Sequence, residues 1–265
     1  MEFLINGQKV YAGTGGRPHI PGQRLAIFVH GAGLDHTTWA LQSRWLAFRG
    51  LNVLAVDLPG HGRSAGPPLP EVGAMAAWVT QLIAAAGAAT AALIGHSMGS
   101  LVALEAAGQS PATVEALLLI GTAAAMPVHP DLLGAAAANH HDAIDMVNLW
   151  GFGQRAGLGG SAAPGVWMTG SGNCLLEQAA PGVLHNDLSA CNAYRTALEA
   201  ASRVTATTTV VAGEFDQMTP LKSGRQLANA ITGAKLMVCA GAGHMLPAEC
   251  PDELIEAMTA LLLRR

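Results

Sequence analysis

The chain has 265 residues, enough for one large domain with a substantial core and too few for two ordinary domains to be the first expectation. Hydrophobic residues make up 51% and charged residues only 12%, a balance that excludes a disordered chain. The formal net charge is −4 and the 14 basic residues are scattered, so neither a polyanion-binding surface nor nucleic acid is an expected partner.

The start, MEFLINGQKV, has no basic stretch followed by a long apolar one, so no signal peptide is expected. It does carry Asn6-Gly7 between two apolar runs, which predicts a hairpin. Continuous apolar runs then follow at 25–30, 51–57, 90–95, 114–121, 207–213 and 234–240, the pattern of parallel strands covered on both faces. Helical stripes lie between and after them: Val72, Met75, Ala76, Val79, Leu82 and Ile83, and later Leu254, Ile255, Met258, Leu261 and Leu262. The weakly polar stretch 78–95 is interrupted by Thr80, Gln81, Gly87 and Thr90, so it reads as helix, turn and strand rather than a membrane span. Strand–helix alternation predicts an α/β fold, a doubly wound and mostly parallel sheet with an antiparallel edge.

The alternation stops between 123 and 203. A helical insertion of this size predicts a cap over a core made of 1–122 and 204–265, with 151–165 too glycine-rich for regular structure. Cys174, Cys191, Cys239 and Cys250 form no C-x-x-C pair and have no histidine at zinc-finger spacing, which reads as a reduced, cytoplasmic protein. His140, His141, Asp142 and Asp145 could suggest a metal. Without a third ligand cluster they read as a polar cap helix, and no metal or cofactor is expected.

The chemistry concentrates at Gly95-His96-Ser97-Met98-Gly99, a G-x-S-x-G sequence between an apolar strand and a helical run. Glycines at its ends let strand and helix backbones approach, with Ser97 in a strained turn above a helix N-terminus. A serine hydroxyl needs a base, and the base an orienting acid. Of the later histidines, His129, His140, His141 and His185 fall in the cap, whereas His244 follows a core strand candidate. Asp216 and Glu214 both follow the strand at 207–213, and alternation gives them the same direction, so pattern alone does not choose between them.

Five segments in order resemble an α/β-hydrolase superfamily serine hydrolase of the carboxylesterase kind, over nearly the whole chain. HGAGLDHTTW (30–39) is similar to the oxyanion loop, DLPGHGRS (57–64) to the next strand-end loop and GHSMG to the nucleophile elbow. GEFDQMTP (213–220) and GAGHMLPAECPDEL (241–254) are similar to the acid and histidine loops. The resemblance implies Ser97 as nucleophile, His244 as general base and then acid, and Asp216 as the orienting carboxylate. The N–H groups of Ala32 and Met98 would form the oxyanion hole. His30 and His61 are expected to brace loops, His96 to pack beside the elbow, and Asp57 to terminate a strand. A few relatives place the acid on another strand.

Serine at 97 points to acyl transfer through an acyl-enzyme, with a small-molecule carboxylic ester as substrate. A lactonase or carbon–carbon bond hydrolase would share the triad, favoured by an acid-binding arginine in the cap for which Arg155 and Arg195 are weak candidates, and a cofactor-free perhydrolase could also use it. A ligand receptor that keeps the triad but signals by cap movement is the alternative of a different class. Met126, Trp150, Phe152, Trp167 and Met245 are expected to bind substrate, with Met98, Met168 and Leu246 nearby. None is charged, which predicts neutral acyl groups of short-to-medium length. The sequence leaves the oligomeric state open.

Overall fold

Asn6 and Gly7 both take positive φ, 50° and 75°, and turn strand β1 (Glu2–Ile5) back onto β2 (Gln8–Gly13) as an antiparallel hairpin. The computed structural model describes residues 1–157, 159–161 and 167–263. The chain continues through β3 (Leu25–Val29), α1 (Ala40–Ala47), β4 (Asn52–Val56), α2 (Val72–Ala85), β5 (Ala91–His96), α3 (Met98–Gln109) and β6 (Val114–Ile120). Five helices follow: α4 (Pro130–Ala137), α5 (Asp142–Gly151), α6 (Gln154–Gly157), α7 (Met168–Glu177) and α8 (Val183–Ala193). Then come α9 (Ala197–Arg203), β7 (Thr207–Gly213), α10 (Leu221–Ala230), β8 (Lys235–Cys239), α11 (Leu246–Glu249) and α12 (Pro251–Leu262).

Among the described residues, eight strands form one sheet in the order β1-β2-β4-β3-β5-β6-β7-β8. β2 runs antiparallel to β4, and every pairing from β4 to β8 is parallel. Side-chain alternation explains why the central strands are apolar throughout. Leu25, Ile27 and Val29 enter the core shared with α2 and α3, while Ala26 and Phe28 face α1 and α12. Each large side chain so buried contributes about 1.5–3 kcal/mol. β4 lies on one side of β3 and β5 on the other, so the chain switches direction across the sheet there. A crevice opens at the carboxyl ends of strands at such a point.

Helices α4 to α8 carry the third apolar cluster, in which Leu132, Val147, Phe152, Met168, Leu176 and Leu188 pack with Leu34 and Met245 of the core loops. α9 lies outside this layer. Its Ala197, Ala200 and Ala201 are buried on the sheet side, and a Cβ on Gly108 of α3 would lie 2.9 Å from Ala200 Cα. The insertion expected over 123–203 therefore divides into cap helices and one helix of the sheet layer. Within 151–165, α6 is regular where no structure was expected; residues 158 and 162–165 lie outside the described residues. No described helix is long and apolar enough to cross a membrane.

Candidate active site

β5 leads into a turn too tight for side chains at two positions. A Cβ on Gly95 would lie 2.1 Å from the Gly99 carbonyl oxygen, and one on Gly99 would lie 2.3 Å from that of Val29. Strand and helix therefore meet backbone to backbone, and the chain reverses at Ser97 with φ 53° and ψ −122°. A non-glycine residue in this region stores about 1–3 kcal/mol of strain, so its surroundings must hold it. The Ser97 N–H donates to the Ile120 carbonyl at 2.9 Å, and its carbonyl accepts the Ser100 hydroxyl at 2.6 Å. The half-buried side chain is left lining a cavity of about 290 Å³.

His244 lines the same cavity. Its Nδ1 lies 2.8 Å from Asp216 Oδ2, and its buried Nε2 has no hydrogen-bond partner. The loop after β7 shapes the acid: Asp216 Oδ1 accepts the N–H groups of Met218 and Thr219, and Oδ2 accepts the Thr219 hydroxyl at 2.7 Å. Burial alone would raise the Asp216 carboxyl, but His244 and the Thr219 donors outweigh it and hold it below the ordinary carboxylate value. Glu214, the rival acid, is exposed and accepts the Gly241 N–H. Asp57 is occupied elsewhere, bound by the His36 ring and by the N–H groups of His36 and Arg63. Alternation does not separate 214 from 216, because the strand ends at Gly213 and beyond it direction no longer alternates.

The histidine loop is fastened to the cap. The Gly151 carbonyl accepts the N–H groups of His244 and Met245, at 2.6 and 3.1 Å. Glu249 Oε2 accepts those of Gly153 and Gly243, at 2.9 and 3.0 Å. His96 donates Nε2–H to the His244 carbonyl at 2.8 Å, and its own burial lowers its pKa to about 3. It is a neutral brace beside the elbow. Ala32 lines the cavity from the turn after β3, and Met98 opens α3, where a helix N–H has no partner within the helix. Asp35, His36 and Asp57 have ligand-type atoms grouped together, but the hydrogen bonds of His36 and Asp57 to each other, and of Asp35 to Thr37, engage them.

Of the expected substrate-binding residues, Met126, Trp150 and Met245 line the cavity. Phe152 does not: it is buried within the cap, where a Cβ on Gly172 would lie 2.8 Å from its ring. Trp167 is 69% exposed, Met168 packs inside the cap, and Met98 and Leu246 are buried in the two sheet cores. Sequence spacing does not reveal which face of the cap each residue takes. No Asp, Glu, Lys or Arg is among the lining residues described. Arg155 and Arg195 instead donate to the Gly160 and Tyr194 carbonyls.

A family model described as the alpha/beta hydrolase family matches residues 26–257. The chain belongs to this family. The acetyltransferase component of the acetoin cleaving system of Cupriavidus necator is 36% identical over 121 residues, 44% of this chain and 30% of that protein. The pimeloyl-[acyl-carrier protein] methyl ester esterase of Serratia marcescens is 36% identical over 103 residues, 38% of this chain and 37% of that one. The chain thus spans about a third of the length of the curated relatives it matches. Among solved structures, the enol-lactonase of Burkholderia xenovorans LB400 superposes with a TM-score of 0.87 over 100% of both chains at 22% identity, a likeness of fold.

One wall of the cavity in this alpha/beta hydrolase went unread in the sequence. Leu184, Leu188 and Cys191 of α8 line it, and Asp187 sits on the same stripe, fully buried. The spacing 184, 187, 188, 191 was a signal: a carboxylate on the apolar face of a helix requires a buried partner.

Proposed function

We propose that this chain is a serine hydrolase that cleaves carboxylic esters of short-to-medium, uncharged acyl groups. The observation that carries the reading is that Ser97, in its strained turn, lines one cavity with a histidine whose outer nitrogen is unpartnered and whose inner nitrogen is held by Asp216. In the reaction, His244 Nε2 takes the hydroxyl proton as Ser97 Oγ attacks the ester carbonyl. The N–H groups of Ala32 and Met98 stabilise the oxyanion, each by about 3–4 kcal/mol. Collapse breaks the ester C–O bond, and the leaving alkoxide takes the proton from His244. Water, deprotonated by the same nitrogen, then releases the acid and restores Ser97.

The apolar lining supports the choice of acyl group, since a buried CH₂ contributes about 0.8 kcal/mol and an unpaired buried carboxylate opposes binding by several. The esterase among the relatives supports the reaction class. A carbon–carbon bond hydrolase is less well supported, because neither Arg155 nor Arg195 lines the cavity. The test is rapid mixing with an activated butyrate ester. The expected result is a burst of alcohol equal to the enzyme concentration, absent from Ser97→Ala. Turnover surviving in that variant would refute the reading, and no turnover by the parent would favour a receptor.

A further inference from the structure

A second histidine–carboxylate pair lies behind the cavity wall, joining core to cap. Asp187 of α8 accepts the Gly33 N–H at 2.9 Å and approaches His61 Nε2 at 2.8 Å, both through Oδ2; Oδ1 takes the Asn186 amide at 3.2 Å. His61 comes from the loop after β4, and its Nδ1 lies 3.0 Å from the Pro59 carbonyl. Both ring nitrogens therefore face oxygens that only accept. A neutral imidazole has one N–H, so satisfying both acceptors takes the doubly protonated ring. Burial would drive that proton off, but Asp187 outweighs it and raises the His61 pKa above its ordinary value.

The surroundings agree. His30, whose ring centroid is 4.7 Å from that of His61, donates Nδ1–H to the Gly31 carbonyl and accepts the Leu58 N–H at Nε2. One donor and one acceptor describe a neutral ring, and burial lowers its pKa to about 4. The other titratable groups facing the pair are Asp57 at the end of β4, already bound by His36 and Arg63, and the buried Cys191 thiol on α8, raised by burial. The cation of this cluster is thus His61 and its counter-charge is Asp187.

The pair grips the turn that carries Ala32. Gly31 to Leu34 closes through the Leu34 N–H on the Gly31 carbonyl at 3.2 Å. Asp187 holds another donor of that turn, the buried Gly33 N–H, at a residue with φ 67° beside which Leu184 and Leu176 of the cap lie. We propose that Asp187, charged and oriented by protonated His61, is a positioning residue that sets the direction of the Ala32 N–H through the Ala32–Gly33 peptide. The cap thereby completes the oxyanion hole of the core. This rests on the serine-hydrolase reading.

Its pH dependence has a definite sign. A histidine raised in the folded state keeps its pair intact at and below its ordinary pKa and loses it as pH rises through the raised value. Above that pH the turn loosens. The ester's kcat falls while KM, set by the apolar cavity, holds.

The decisive experiment is a histidine and amide NMR titration of the full chain, alongside ester kinetics. Two ring-bound protons on His61 at neutral pH are expected, and the Gly33 amide shifting with the same pKa as His61. Asp187→Asn should lower kcat roughly ten- to a hundredfold, with KM within about twofold, and remove the alkaline limb that titrates with His61. A singly protonated His61, or a Gly33 amide indifferent to its titration, overturns the proposal even if the variant fails to fold. Unchanged kcat and pH profile in a folded variant does so too. Fluorophosphonate labelling of Ser97 keeps the two readings apart: its failure removes the hydrolase, while the titration still decides the pairing.

Discussion

Two histidine–carboxylate pairs, each 2.8 Å long and buried, serve one cavity, one through a ring that lines it and the other from behind its wall. Asp216–His244 leaves Nε2 of its ring without a partner; Asp187–His61 commits both ring nitrogens. The chemistry of the pair is the same, and the vacancy is what differs. A proton can be passed only by a ring with one nitrogen unspent, so the first pair suits acid–base work and the second suits fastening. Their responses to pH are opposite. Asp216 is held below its ordinary value, so its contribution to stability is present above that value and is lost as pH falls through the lowered one. The His61 contribution is lost on the alkaline side.

The sharpest way to break the comparison is to remove the unspent nitrogen. If the proposed reaction holds, His244→Gln should reduce ester kcat by roughly 10⁶-fold, measured by single-turnover kinetics. Asp216→Asn follows, with a loss of roughly 10⁴-fold, because an amide holds the wrong tautomer. Glu214→Gln is the control and should leave kcat within about twofold, since that side chain is exposed and faces Gly241.

The fastening pair should show itself in stability as well as in kcat. His61→Leu leaves the Asp187 charge buried beside one backbone donor and one amide, and should lower the free energy of unfolding by about 3–5 kcal/mol in urea titrations. The double variant His61→Leu with Asp187→Leu should recover most of that loss without recovering kcat. Recovery of both would show that the pair contributes packing alone.

How much of this was legible follows from where each residue's reason lies. The elbow was readable because its cause is local: two glycines, one strand and one helix within a few residues of Ser97. His244 was readable because it follows a core strand, and the hairpin because Asn6-Gly7 carries its own turn chemistry. The choice of Asp216 over Glu214 needed the turn beyond Gly213, which pattern does not encode. His61 was expected only to brace a loop. Its partner lies 126 residues away in the cap, on a helix whose register against the core no local signal sets. Phe152 and Trp167 lie off this cavity for the same reason: apolar residues in a cap can face inward, toward the cleft or outward, and sequence separation from Ser97 says nothing of which.

The smallest expected effect tests what the second pair leaves behind. His61 is spent on Asp187, Arg155 and Arg195 donate elsewhere, and no Lys or Arg is among the described lining residues, so a charged acyl group would meet no fixed cation of that kind. A butyrate ester should therefore exceed the succinate half-ester of the same alcohol by roughly a hundredfold in kcat/KM, about 3 kcal/mol. Within the uncharged series the increments are finer. Each added CH₂ should raise kcat/KM about fourfold, the equivalent of about 0.8 kcal/mol, until the acyl chain fills the space between Met126, Trp150 and Met245. Leu188→Ala enlarges that space from α8 while leaving Asp187 in place, and should move the optimum to a longer chain. An optimum that stays fixed would mean the acyl group does not occupy the α8 side, and that this wall serves the fastening pair alone.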